Sequence, residues 1–528
     1  MNDDPSSFSA RDRGITRRAF LGTAAAAGAS LLLPGAAGAL AGASRGAPAR
    51  VTGRVTGPEG GLGGVPVTDG LQVVATGADG RFELATSARR PFVYLTVPSG
   101  YRIPRDGTGT ARFYRRLDPA SDSEQEVRFE LERLPVTDER HALLLLADIQ
   151  TETAEEMRSF HEGTVPHVRE TLDGLGDRPA VGLACGDIMY DRLELFDEYE
   201  RAVSRMGIPF FQAVGNHDLD MGASTDAGST DTFTRRFGPR YYSFDRGAVH
   251  YVVLDDVHWH GAGYLGYLDR DQLEWLEADL EHVEPGRRVV VAAHIPVLGT
   301  SHLRAGLEEP VLRRAVTNRE RLYELLDPFD AHLLSGHTHE NEHSFEGPVH
   351  EHVCGTVSGA WWTGPICADG TPSGYSLYEV DGERLRWQYR ATGRSADHQI
   401  RAYPAGADPD APDEIVANVW DWDPEWTVVW FEGADRRGAM ARRTGRDPLS
   451  VEIHRGEERP EKRPWVDPYP TRHLFYAPAA EAEGEIVVEA TDRFGRTYAA
   501  RTAPVESHLA GTGAAAPVGA RRSSGRSV

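Results

Sequence analysis

Between residues 138 and 393, six apolar runs of strand length (141–147, 181–184, 208–214, 249–254, 289–293 and 332–334) alternate with stretches of helical periodicity. In those stretches, 193–205, 269–283 and 318–326, apolar residues recur at spacings of three and four. Strands alternating with helices imply an α/β layered domain, because each amphipathic element buries one face against another. Ligands of such sheets gather beyond the carboxyl ends of the strands, so the residues after each run carry the functional information.

Those residues form a coherent set. Asp148 and Gln150 follow the first run, Gly186-Asp187 the second, and Gly215-Asn216-His217-Asp218 the third. His294 closes a later run and Gly336-His337-Thr338-His339 another. A Gly-Asn pair after a strand is ordinary turn chemistry when taken alone. Five strand ends that together offer imidazoles, carboxylates and amide oxygens suit divalent first-row metal ions, and seven donors exceed what one ion needs. Two ions sharing one carboxylate is the economical reading.

The flanks differ in texture. Residues 46–136 are short alternating strands punctuated by Asp69-Gly70 and Asp79-Gly80, which read as hairpin turns, and make a small β-sandwich similar to prealbumin-like modules. The α/β domain spans 137–394, and 395–506 reads as a second β domain with strands over 418–423, 426–431, 450–453, 471–476 and 485–490. The tryptophans of residues 420 to 430 read as its core. Residues 507–528 lack periodicity and are expected to be a disordered tail.

A net charge of −23 argues against a nucleic-acid polymer or an anionic membrane surface as the main partner. An anionic substrate would need bound metal to overcome that field. Cys185, Cys354 and Cys367 are odd in number and lack a CxxC, which argues against a disulfide framework or a zinc-thiolate site.

Residues 1–45 read as an address. Thr16-Arg17-Arg18-Ala19-Phe20-Leu21 precedes an apolar run over 22–33, and Ala41 and Ala43 offer a cleavage site. The segment resembles a twin-arginine export signal. Its apolar run is short for a membrane span. The mature chain is therefore expected to lack a transmembrane segment and to pass folded, through the export machinery, to the periplasm, cell wall or exterior.

The order D-x-Q, GD, GNHD, H, GHTH over residues 148–339 resembles the calcineurin-like metallophosphoesterases. The three-part layout, and Asp369 to Tyr375 after Gly359-Ala360-Trp361-Trp362, resemble a subfamily with β domains on both sides. The resemblance implies a four-layer α/β/β/α sandwich. It implies a first metal on Asp148, Gln150, Asp187 and His339, and a second on Asp187, Asn216, His294 and His337. His217 would face the substrate and Asp218 would orient its ring. Trp361, Trp362, Tyr375 and His258 are candidates for the substrate pocket, with packing or surface roles weighed equally, and Asp191 reads as a helix N-cap.

The implied reaction is hydrolysis of a phosphomonoester or phosphodiester by a hydroxide bridging two ions. The implied partner is a small phosphate ester or an envelope phosphate compound. Two alternatives stand beside it. One is a cell-envelope binding protein with a vestigial metal site, against which the complete donor set argues. The other is a diphosphatase for nucleoside-diphosphate-linked compounds, because Ala147-Asp148-Ile149-Gln150 is similar to the form in manganese-dependent ADP-ribose and CDP-alcohol diphosphatases.

Many family members carry His where Gln150 stands. An amide oxygen is a harder, weaker donor than imidazole, which favours Mn²⁺ or Mg²⁺ over Zn²⁺, with iron a further candidate. Loading in the cytoplasm before folded export would also spare the site competition from zinc and copper. Elemental analysis of the exported protein is expected to find manganese, and zinc in both positions would overturn that expectation.

Overall fold

The computed structural model describes residues 49–510 apart from 88, 119–123, 480, 481 and 483. The expected export signal and the C-terminal tail lie outside the described residues. Within 140–391 the main strands are β1 (Arg140–Leu146), β2 (Ala180–Cys185), β3 (Phe210–Ala213), β4 (Tyr242–Arg246), β5 (Val249–Val253), β6 (Arg288–Ala292), β7 (Asp330–Ser335), β8 (Glu342–Glu346), β9 (Val349–Val353), β10 (Gly374–Asp381) and β11 (Arg384–Ala391). They form two sheets, ordered β3-β2-β1-β10-β11 and β4-β5-β6-β7-β9-β8. The centre of each sheet is parallel, whereas β10, β11, β4 and β8 pair antiparallel with their neighbours.

Side-chain alternation decides what lies between the layers. Leu143 and Leu145 of β1 meet Tyr251, Val290 and Leu334 of the second sheet in the interior of the sandwich. Leu144 and Leu146 point the other way, against Val165 and Val168 of α1 (Val165–Gly174) and Phe196 and Val203 of α2 (Phe196–Met206). On the opposite side, Trp275 of α3 (Arg270–Leu280) and Leu322 of α4 (Arg319–Leu326) cover Val252, Val289 and Leu333. The result is the expected four-layer α/β/β/α arrangement. The expected helix over 269–283 starts one residue in, because the Asp269 side chain accepts from the Gln272 N–H and acts as its N-cap.

Two regions built mainly of β-strands flank this body, the C-terminal one with a helix as well. The N-terminal one consists of two four-stranded sheets and docks through Arg90 on Asp271 (2.5 Å) and the Tyr241 hydroxyl donating to the Gly70 carbonyl (2.6 Å). Asp69-Gly70 does join two paired strands, Pro66–Thr68 and Val73–Ala75. Asp79-Gly80 does not, since the following strand, Arg81–Thr86, pairs with Ala49–Gly57 in the other sheet. The C-terminal region also contains two four-stranded sheets. Residues 450–453, expected as a strand, lie instead in a helix, Pro448–Arg455. Asp447 caps it by accepting from Ser450 N (3.0 Å), and Pro448 occupies a first-turn position that has no need of an N–H. Trp426 and Trp430 pack in the core of this region and Trp420 is fully buried. No described helix is long and apolar enough to cross a membrane.

A buried ion triad helps join the second sheet to α3. His250 of β5 has Nδ1 3.0 Å from Asp245 and Nε2 2.9 Å from Asp279. Burial alone would lower its pKa, but the carboxylates of Asp279 and Asp245 outweigh it and raise the imidazole to about 9. The folded pKa thus lies above the unfolded value near 6.5, so this stabilisation is full below pH 6.5 and is lost as pH rises through 9. Urea denaturation is expected to lose up to about 3 kcal/mol between pH 6.5 and pH 9.5, a loss that His250→Asn abolishes.

Candidate metal centre

The strand ends of both sheets meet in an unusual backbone. Asp148, Gln150, Asp187, His337 and His339 have φ between 45° and 69°, the left-handed region. For non-glycine residues such conformations cost roughly 1–3 kcal/mol each and persist where surrounding structure imposes them. Among the described residues, the other non-glycine positions with positive φ are Asp191, Trp361, Trp362 and Arg463. Glycines permit the close approach. A Cβ on Gly215 would overlap the Asp187 backbone, one on Gly336 the Asp148 carboxylate, and one on Gly186 the His294 ring.

One set of donors surrounds His294 Nε2. This atom lies 3.3 Å from Asp187 Oδ1, 3.2 Å from Asn216 Oδ1 and 3.2 Å from His337 Nδ1. The outer nitrogens are already committed, His294 Nδ1 to the Cys185 carbonyl (2.9 Å) and His337 Nε2 to the Arg313 carbonyl (2.8 Å). The two inner nitrogens therefore face each other and two oxygens, an arrangement that positive charge at this point, a metal ion or a proton on His294, would satisfy. In the second set, Asp148 Oδ1, Gln150 Oε1 and His339 Nε2 are buried and have no hydrogen-bond partner. His339 Nδ1 is fixed by the Gly359 carbonyl (2.5 Å), so its Nε2 carries a lone pair 3.4 Å from Asp148 Oδ1. Each buried, unsatisfied polar atom costs about 1–3 kcal/mol, a cost that a bound cation removes. Asp187 borders both sets, because its Oδ2 accepts from Gln150 Nε2 (2.7 Å). The seven residues fit two metal ions.

The electrostatics agree with the geometry. Burial would raise Asp187, yet His294 and His217 hold it well below the carboxylate range. Burial would lower His294, but Asp187 and Asp148 raise it to about 10, whereas burial and the His294 charge drive His337 well below its ordinary value. Without metal, the cluster recruits a proton in its place.

His217 stands beside these sets with Nδ1 2.7 Å from Asp191 Oδ1, and Tyr190 stacks on its ring at 4.3 Å. Burial is outweighed by Asp187 and Asp191, and its pKa rises to about 9. Asp191 thus partners the imidazole and is not the helix N-cap the sequence suggested. Asp218 does not take that position. Its carboxylate accepts from the backbone N–H groups of Gly215, Ile188 and Met189 at 3.0, 3.1 and 3.0 Å, tying one strand-end turn to the next. Burial, reinforced by Asp187, raises it to about 7.

The pocket over these groups is lined by Gln150, Asp187, Asn216, His217, Arg314, His337, Thr338, Trp361 and Tyr469. Trp361 stacks on His339 at 3.7 Å. Trp362 turns away, its indole N–H donating to the Ile149 carbonyl (3.0 Å). Tyr375 is fully buried in the core beneath the first sheet, where its hydroxyl bonds Thr171, so it is a packing residue. His258 sits 3.5 Å from Asp226 and does not line the pocket. Arg314, Tyr190 and Tyr469 were missed. Tyr190 and Asp191 closely follow the GD motif, but no local signal in the sequence marks Arg314 or Tyr469.

Family comparison matches residues 141–341 to "Calcineurin-like phosphoesterase", 49–134 to "N terminal of Calcineurin-like phosphoesterase" and 351–498 to "C terminal of Calcineurin-like phosphoesterase". The chain belongs to the calcineurin-like metallophosphoesterase family. It is 27% identical to mouse serine/threonine-protein phosphatase CPPED1 over 183 residues, covering 33% of this chain and 57% of the mouse protein. The bovine protein of the same name is 24% identical over 232 residues, or 42% of this chain and 70% of that one. Among solved structures, a dimetal phosphatase from Danio rerio aligns with TM-score 0.33 and 14% identity, covering 48% of this chain and 96% of that one. Purple acid phosphatase PPD1 from yellow lupin aligns with TM-score 0.35 and 15% identity, over 48% and 51%.

In this metallophosphoesterase the strand-end glycines leave room for the donor residues they crowd. Gly336→Ala and Gly186→Ala are each expected to weaken Mn²⁺ binding about 10–100-fold. Gly174→Ala, in open space at the end of α1, should leave it unchanged, as read by calorimetric titration of the chelated protein.

Proposed function

We propose that this protein is an exported binuclear-metal phosphoesterase that hydrolyses a phosphomonoester or phosphodiester. The carrying observation is the convergence of seven buried donor residues, three with unpartnered ligand atoms, in two sets that share Asp187. Asp148, Gln150, Asp187 and His339 would hold one ion, and Asp187, Asn216, His294 and His337 the other. Two such ions, with Mn²⁺ favoured by the Gln150 amide oxygen, would lower the pKa of bound water and neutralise phosphoryl charge.

The chain's own groups supply the rest. Asp191 holds His217 through Nδ1, leaving Nε2 to donate a proton to a phosphoryl or leaving-group oxygen. Asp218 fixes the turn that carries Asn216 and His217. Arg314 on the pocket wall offers positive charge to the phosphate of a substrate approaching a chain of net charge −23. A neighbouring cleft of about 270 Å³, lined in part by Arg304, Arg446 and Tyr469, gives room for a sizeable leaving group. That cleft favours, as a second reading, a nucleoside-diphosphate-linked substrate.

Export rests on the twin-arginine-type segment, and the three cysteines, all buried free thiols, leave folding in the cytoplasm independent of disulfides. Hydrolysis of p-nitrophenyl phosphate and bis-p-nitrophenyl phosphate with Mn²⁺ tests the activity and separates monoesterase from diesterase. Turnover of neither would point to the envelope-binding alternative. His217→Ala is expected to lower kcat by about 10²–10⁴ while both metals stay bound, and Asp191→Asn should lower it less.

A further inference from the structure

Four histidines gather on the far edge of the second sheet, away from the metal centre described above. Register sets His332 of β7 opposite His350 of β9, and His343 of β8 opposite His352. Paired residues share a face, so all four rings point between the sheets, towards Trp387 of β11. Trp387 meets the His350 and His352 rings edge-on at 5.2 and 4.7 Å. The C-terminal region closes the space. Phe494 packs on Trp387 at 4.9 Å, and Asp421 Oδ1 lies 3.1 Å from His343 Nε2. Arg493 lies over Trp387, its charge answered by Asp423 (2.7 Å) and Glu425 (3.3 Å).

Simple packing accounts poorly for these rings. The face they occupy is continuous with an apolar interior, where an aliphatic side chain would bury more favourably than imidazole. His332, His350 and His352 are 8%, 5% and 1% exposed, so a bound ion would be enclosed by protein. Burial, the largest influence on each, lowers the pKa of all three imidazoles. Hydrogen bonds within the cluster do not satisfy it, because His352 Nδ1 is buried without a partner.

The donor geometry is close to that of a coordination sphere. His332 Nδ1 and His352 Nε2 are 3.1 Å apart, and one nitrogen from each of the three rings falls within a 4.8 Å group. Two nitrogens bound at ~2.0–2.1 Å to one tetrahedral ion sit roughly 3.3 Å apart. His343 is held by Asp421 and has its Nδ1 3.0 Å from His350 Nε2, so a carboxylate–imidazole relay orients the third ring.

We propose that His332, His350 and His352 form a third metal site, separate from the catalytic pair, that takes a first-row transition ion such as Zn²⁺. Three imidazoles without a carboxylate select zinc, copper or nickel over manganese and magnesium, the reverse of the preference at Gln150. The Asp421–His343 relay links this site to the C-terminal region.

The test uses the full chain, stripped with a chelator, in a D148N/H339Q background to which D187N/H294Q is added, so that ligands of both catalytic positions are gone and Zn²⁺ binding and Co²⁺ absorption report on the third site alone. We expect one equivalent of Zn²⁺, a visible Co²⁺ spectrum of tetrahedral type, and a thermal midpoint that rises on adding Zn²⁺. Adding H350Q/H352Q should abolish all three signals. In the otherwise native chain H350Q/H352Q should lose one zinc equivalent and retain Mn²⁺-dependent hydrolysis. A folded quadruple variant, judged by circular dichroism, that binds no Zn²⁺ overturns the proposal. Should H350Q/H352Q fail to fold, the quadruple-variant measurements decide, since they leave the cluster intact.

Discussion

Buried acceptors that face one another are the constraint on which this molecule depends. His294 Nε2, His337 Nδ1, Asp187 Oδ1 and Asn216 Oδ1 crowd one point, while Asp148 Oδ1, Gln150 Oε1 and His339 Nε2 stand unpartnered beside it. Such a set is unfavourable unless positive charge lies among its members. Much of the surrounding construction can be understood as holding these atoms against their mutual repulsion. Backbone carbonyls fix the far nitrogens of the histidines, and backbone amides fix Asp148 and Asp218.

That construction places strain where the chemistry is. The left-handed residues at the ends of β1, β2 and β7 turn their side chains into one space only because the parallel strands beneath them are locked in register and packed on both faces. Glycine appears wherever a second chain segment must pass within touching distance, as at Gly215 against Asp187 and Gly336 against Asp148. The rigid four-layer body is therefore a condition of the site as well as its support.

The C-terminal region reaches this body in more than one place. Tyr469 lines the pocket, and Arg463 bonds the Trp361 carbonyl, pairs with Glu156 and lies 5.0 Å from the Tyr190 ring that stacks on His217. Asp421 reaches the histidine cluster at the opposite edge. A region that read from sequence as a separate β domain thus helps form both the pocket over the donor residues and a buried polar cluster.

The alternation of apolar runs and the donor residues after them were legible because periodicity and turn chemistry are local. They were enough to name the layered fold and the residues that converge. Local pattern could not assign the partner of His217. Neighbours on a tight turn point apart, so Asp218 faces backbone amides, and a left-handed residue at 191 delivers the carboxylate. Nor could it separate Tyr375, sunk beneath the first sheet, from Trp361, stacked on His339. His350 and His352 alternate along one strand, but only the pairing of β7 with β9 brings His332 beside them. The sequence by itself determined which elements of the α/β body form and what chemistry stands at their ends. The tertiary structure decided which groups meet, because strand register, side-chain direction at strained turns and domain docking are set by contacts far apart in the chain.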